Sequence, residues 1–231
     1  KVASASTFLR AEMAYADSVQ KTKTEALDSL SISLLVKYYK LYLDKKDNEH
    51  QALTYYRIGV LQQNNQPNET ISAFQKYLNT KDKTYATEVL YRLGYLYIET
   101  NNQKKAIQTF EKYLSMKDKT YAAEVHYRLG NLFIETKQHK QAIHIFEKYL
   151  NMNDKTYTAE VYYRLGYLFI ENKKQKKASK IFEDYLNTNN KTYTAEVHYR
   201  LGYLYIETKQ HNKAIQTFEK YLNTHDKTYV S

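Results

Sequence analysis

Apolar residues recur along most of this chain at the spacing of one helix face, and the whole pattern returns every 36 residues. In the stretch that opens at Thr84, the residues Leu90, Leu93, Gly94 and Tyr97 stand at i, i+3, i+4 and i+7. That spacing predicts a helix over about Thr84 to Thr100 with this face buried. A second apolar stripe, Ala106, Ile107, Phe110, Tyr113 and Leu114, predicts another helix near Gln103 to Ser115. Two stripes on helices joined by a short link make an antiparallel hairpin. Thr84 is the expected N-cap, with Glu88 in the first turn where the helix dipole favours a carboxylate. A glycine inside a helix costs roughly 1 kcal/mol relative to alanine, so its return as Gly94, Gly130, Gly166 and Gly202 needs a packing reason. Small residues follow each glycine on the second helix, at Ala106, Ala142, Ala178 and Ala214, and the expectation is a close backbone approach with no side chain between.

Near-identical copies open at Thr84, Thr120, Thr156 and Thr192. A period of this length is the mark of a repeat architecture, in which stability comes from unit-to-unit stacking. The predicted fold class is therefore all-α, an α-solenoid of stacked antiparallel helix pairs. Its repeats fall at about 49–83, 84–119, 120–155, 156–191 and 192–227, and residues 228–231 begin another. The first of these is one residue short. Arg57, Gly59 and Phe74 keep its register, but Val60 and Gln62 stand where later copies mostly carry Tyr. Pro67 suits the first position of a helix, where a missing N–H costs nothing. Residues 1–48 show two more helical patterns, roughly Thr7 to Gln20 and Thr24 to Leu43, the second ending in Tyr38, Tyr39, Tyr42 and Leu43 like every later unit. They are expected to form a diverged helical hairpin that covers one end of the stack. The sequence stops after residues 228–231 open that further repeat, so either it is cut from a longer array or its apolar end is a route to self-association.

The recurring set Leu93, Gly94, Tyr97, Ala106 and Phe110 resembles the tetratricopeptide repeat family, over about residues 49–227. The resemblance implies a right-handed superhelix whose first helices line a concave groove. Three features depart from the family pattern. Its usual Trp is Leu90, His126, Tyr162 or His198; its helix-breaking Pro is replaced by a DK turn; and each unit is two residues longer than the common 34.

Composition removes several function classes. With no Cys there is no disulfide framework, thiol nucleophile or cysteine-ligated metal. No apolar run approaches the length needed to span a bilayer, so the chain is expected to be soluble, while its compartment stays open and a removed leader is compatible with a start at Lys1. A formal charge of +10 raises nucleic acid as a partner, but the lysines concentrate in inter-helix turns, such as Lys81, Lys83, Lys117 and Lys119, where they read as a solvated surface. Glycine-loop, HExxH and dinucleotide motifs are absent, and polar residues repeated in equivalent copies do not make the single asymmetric constellation a catalyst needs. No catalytic residue, metal ligand or cofactor is expected. His126 and His198 read as packed histidines rather than a metal pair.

The candidate binding residues lie on the other face of each first helix. They are Tyr91, Arg92 and Tyr95; Tyr127, Arg128 and Asn131; Tyr163, Arg164 and Tyr167; and Tyr199, Arg200 and Tyr203, each set preceded by a glutamate at 88, 124, 160 or 196. Tyr and Arg combine large contact area with directional hydrogen bonds and are enriched in binding hot spots. By the resemblance this face lines the groove. It implies a scaffold that binds a protein or peptide segment, and the scarcity of Lys and Asn there disfavours a carboxylate clamp. An equally weighted reading has these tyrosines packing between repeats, with each arginine paired to a glutamate of a neighbouring unit. A second functional reading is a structural array that stacks end to end, carrying glycans at the sequons Asn68-Glu69-Thr70 and Asn190-Lys191-Thr192.

Overall fold

The computed structural model describes residues 2–21, 28–45 and 49–224, and these form twelve helices. The start of a further repeat at residues 228–231 lies outside them. The chain divides into two compact units, Lys1–Lys119 and Thr120–Ser231. In the first, α1 (Val2–Lys21) packs on α2 (Ser29–Leu43), α3 (Gln51–Gln62) on α4 (Pro67–Asn79), and α5 (Ala86–Glu99) on α6 (Gln103–Ser115). In the second, the pairs are α7 (Ala122–Glu135) with α8 (His139–Leu150), α9 (Thr158–Glu171) with α10 (Gln175–Leu186), and α11 (Thr194–Glu207) with α12 (His211–Leu222). Consecutive pairs stack within each unit, α2 on α3, α4 on α5, α8 on α9 and α10 on α11.

Both stripes read from the sequence are core, apart from Leu114, which is half-buried. Leu90, Leu93, Tyr97, Ala106, Phe110 and Tyr113 are all buried, and Phe110 and Tyr113 are wholly so. Burying a ring of this size contributes about 2–3 kcal/mol, which is how short helices with a polar outer face hold together. Pro67 occupies the first turn of α4 as expected.

The repeated glycine has a different cause from the one its spacing suggested. A Cβ on Gly94 would lie 2.1 Å from Cε1 of Phe110, and the same ring stands against Gly59, Gly130, Gly166 and Gly202 as Phe74, Phe146, Phe182 and Phe218. The glycine makes room for a phenylalanine from the partner helix rather than for a bare backbone.

The N-cap expectation also changes. Tyr85, not Thr84, is the cap residue of α5 and makes no side-chain cap bond. Thr84 instead belongs to a turn built by Asp82, whose carboxylate accepts from the Thr84 N–H at 2.8 Å and hydroxyl at 2.7 Å. Asp154 and Asn190 accept from Thr156 N–H and Thr192 N–H in the same way, each at 2.8 Å. The hydrogen bonds from Thr84 hold the Asp82 carboxyl below its ordinary pKa. Lys83, read as a solubilising turn lysine, donates to the carbonyls of Leu78 and Thr80, the latter at 2.6 Å, so it closes the end of α4.

The first helices α5, α7, α9 and α11 end alike. Asn101, Lys137, Lys173 and Lys209 take positive φ, and the next N–H folds back on the carbonyl of Tyr97, Phe133, Phe169 or Tyr205.

Candidate functional site

Two classes of tyrosine hold consecutive repeats together. The wholly buried Tyr77, Tyr149 and Tyr185 end the second helices, and their phenolic oxygens accept the N–H of Tyr85, Tyr157 and Tyr193, each at 2.7 Å. Tyr42 does the same for His50 at 2.9 Å. A first-helix tyrosine then lies flat on the residue so held. Tyr56 stacks on Tyr85 at 4.0 Å, Tyr127 on Tyr157 at 4.2 Å and Tyr163 on Tyr193 at 4.0 Å, with ring planes within 15° of parallel. In the N-terminal pair Phe8 stacks on His50 at 4.1 Å. The opening tyrosines were not among the candidates, although their fixed offset of eight residues from the buried Tyr is visible in every copy.

The arginines are held mainly within their own helix. Arg92 pairs with Glu88 at 2.7 Å, Arg164 with Glu160 at 2.6 Å, and Arg128 and Arg200 with Glu124 and Glu196 at 3.8 Å. Each Glu lies four residues earlier, where helix geometry brings side chains together. The bond to the neighbouring repeat comes from tyrosine. Tyr56 donates to Glu88 at 2.9 Å, Tyr163 donates to Glu196 at 2.8 Å, and Tyr167 donates to the other oxygen of Glu196 while accepting from Arg200 Nε at 3.0 Å. Burial, reinforced by the Glu196 carboxylate, pushes the Tyr167 phenol up to about 12 and that of Tyr163 further. Arg92 also reaches back, to Gln63 of the preceding repeat, and Arg57 to Glu12 of α1 at 3.3 Å.

Of the candidates, Arg92, Tyr127, Tyr163, Tyr167 and Arg200 tie adjacent repeats, whereas Tyr91, Tyr95, Tyr199 and Tyr203 pack against rings of their own repeat. The side chains of Arg92, Arg128, Arg164 and Arg200 keep 31–41% of their area exposed while their guanidinium groups are pinned. Tyr91 and Tyr95 are half-buried, their rings 5.0 Å apart. Tyr199 and Tyr203 form a similar pair at 4.9 Å, and Tyr203 is exposed. Asn131, at the position of Tyr95 and Tyr167, leaves its Oδ1 buried with no hydrogen-bond partner. Tyr91, Arg92 and Tyr95 lie in the first unit and the other nine candidates in the second.

The two histidines do not converge. His126 is buried with Nδ1 2.7 Å from the Ala122 carbonyl, so that nitrogen carries the proton. His198 is half-buried, and burial pushes its imidazole below its ordinary pKa. Among the described residues no group of three or more His, Asp or Glu could hold a metal ion, and no helix is long and apolar enough to cross a membrane.

The tetratricopeptide repeat family model matches residues 87–120, 123–156, 159–192 and 195–224. A search of curated protein sequences returns no match. Solved structures of similar fold include the MamA protein, at 22% identity and a TM-score of 0.59 over 79% of this chain and 97% of that one. YrrB, described as a TPR protein with an unusual peptide-binding site, has 19% identity and a TM-score of 0.59 over 80% of this chain and 91% of its own. PilF of Pseudomonas aeruginosa, at 15% identity and a TM-score of 0.51, is matched over 95% of this chain and 92% of its own.

Proposed function

The chain belongs to the tetratricopeptide repeat family, and from that premise we propose that it is a non-catalytic interaction scaffold that binds an extended peptide or protein segment on the Tyr/Arg face of its first helices. The observation that carries this reading is Asn131. Its buried amide oxygen lacks a donor at a position where Tyr167 in the next repeat is fully engaged. An extended peptide offers backbone N–H groups that could be received there, while the flanking arginines suit its carbonyls and acidic side chains. Because Glu124 and Glu160 already hold Arg128 and Arg164, little side-chain freedom is lost on binding. The peptide-binding description of YrrB is in keeping with this choice of ligand, although the likeness between the two chains is one of fold.

The test is to select peptides against the intact chain from a display library and measure their affinities calorimetrically. Asn131→Leu and Arg164→Ala should each weaken binding about tenfold or more with helical content unchanged. Affinity indifferent to both substitutions would sink the proposal.

End-to-end stacking is a second reading, favoured by exposed apolar side chains on the terminal pairs. Leu9, Met13 and Leu30 are exposed on α1 and α2, and Ile206, Ile215 and Leu222 on α11 and α12. Sedimentation across a concentration series decides it: growth beyond a monomer supports the array, and a monomer at every concentration rejects it.

A further inference from the structure

In every later repeat the first helix places a ring at one buried position, as Tyr97, Phe133, Phe169 and Tyr205, each no more than 5% exposed. Where that ring is a tyrosine its hydroxyl bonds the preceding pair: Tyr97 accepts from Gln75 at 2.7 Å, and Tyr205 donates to Glu183 at 2.6 Å. The first repeat carries Gln62 there instead, and Lys40 stands where Gln75 and Glu183 stand later. A cavity of about 570 Å³ opens between α2 and the end of α3, lined by Ile32, Val36 and Leu41 on one side and by Lys40, Gln62 and Gln66 around it. A second, of about 490 Å³, shares Lys40 and Gln62 with it. Gln62 is 5% exposed, and its Nε2 donates to Gln66, but no donor of the protein reaches its Oε1.

We infer that this cavity is a binding site for the tyrosine side chain of a partner segment, which supplies the ring the repeat lacks. Several features select that ligand. The volume lies in the range of small-molecule sites, about 300–1,000 Å³. The apolar wall suits a ring face. A buried acceptor without a partner calls for a donor, and a phenol gives its proton to Gln62 Oε1 while its oxygen can accept from the Lys40 ammonium. A phenylalanine ring would leave Gln62 unsatisfied. The site lies apart from the Tyr/Arg face. Its ligand class rests on the reading of the chain as a protein-binding scaffold, but its test does not depend on that face.

The experiment titrates the intact chain with p-cresol, the side-chain analogue of tyrosine, and with 4-methylanisole, which has the same ring but no donor. It follows the Gln62 side-chain amide and the Val36 and Leu41 backbone by NMR. Saturable shifts with p-cresol, and binding about tenfold weaker for 4-methylanisole, are the expected result. Gln62→Tyr, which removes the acceptor and puts a ring where the later repeats carry one, should abolish both. Gln62→Leu keeps the space and removes the acceptor, so the two probes should bind alike, and this variant decides the matter if Gln62→Tyr fails to fold. Absence of saturable shifts, equal binding of the two probes to the wild type, or shifts confined to α7, α9 and α11 would overturn the site. Those results would leave the Asn131 and Arg164 measurements standing.

Discussion

The N–H of Tyr193 donates to the phenolic oxygen of Tyr185 at 2.7 Å, so the side chain that ends one repeat satisfies the backbone that begins the next. The first four N–H groups of a helix have no partner within it, and the usual remedy is a polar residue at the N-cap. Here the remedy is a wholly buried phenol eight residues earlier. Tyr185→Phe keeps the ring and orphans the N–H. It should cost about 1–3 kcal/mol, and hydrogen exchange should show the Tyr193 amide opening about tenfold faster or more than its counterpart at Tyr157. Equal protection in the two repeats would show the bond to be dispensable.

Gly94→Ala is expected to destabilise, against the usual gain from replacing a helical glycine. The new methyl carbon would stand 2.1 Å from the Phe110 ring, and that ring is wholly buried. Overpacking of this kind costs about 1–3 kcal/mol, more than the roughly 1 kcal/mol of helix propensity recovered. Adding Phe110→Leu should return part of the loss in urea unfolding. A double variant that is no better than the sum of the singles would contradict the assigned contact.

Much of the architecture was legible in the sequence because stripe spacing and a 36-residue period are properties of the chain alone. The helix bounds of α6, Gln103–Ser115, match the stripe that predicted them. What failed was partner assignment. Gly94 was paired with Ala106 by size, yet it faces Phe110, four residues further along the same helix, because the crossing of the two helices decides which residue fills the notch. Thr84 looks like an N-cap by residue preference, but Asp82 lies two residues before it and captures it. The equal weighting of packing and binding for the tyrosines reflected a property of the side chain, since a ring can tie repeats through its face and hydroxyl and keep an edge exposed. Gln62 is a departure visible in the sequence, but that it lines a cavity follows only from the placement of Lys40 and α2.

Tyr163 and Glu196 should be energetically coupled, within a network in which Glu196 also holds Tyr167 and Arg200. Tyr163→Phe and Glu196→Ala are each expected to destabilise, and a double-mutant cycle should give a coupling of about 1.5–3 kcal/mol, typical of a hydrogen bond to a charged group. Coupling within error of zero would mean that the 2.8 Å contact adds nothing to stability.

His198 makes the stability of the second unit sensitive to mild acid. Burial, the largest cause, and the charges of Lys220 and Lys191 hold its pKa below the ordinary 6.5. The folded chain therefore resists a proton that the unfolded chain accepts. This contribution is present above about pH 6.5 and is lost as pH falls from there through the depressed folded value. Thermal melts at pH 7.5, 6.5 and 5.5 should show a falling midpoint, with a shallower slope in His198→Leu, the residue type that occupies the equivalent place at Leu90. Parallel slopes would assign the pH effect to other groups.

The phenol-to-backbone tie joins the same two positions of adjacent units, as Tyr149 to Tyr157 and Tyr185 to Tyr193 show. A segment one period long can therefore be removed or duplicated with both new neighbours meeting at a junction the chain already contains. Unequal recombination between near-identical coding segments would then give longer or shorter proteins that fold at once, with no compensating mutation. The reach of the molecule becomes a quantity inherited in whole steps, and it can change faster than any one of its surfaces.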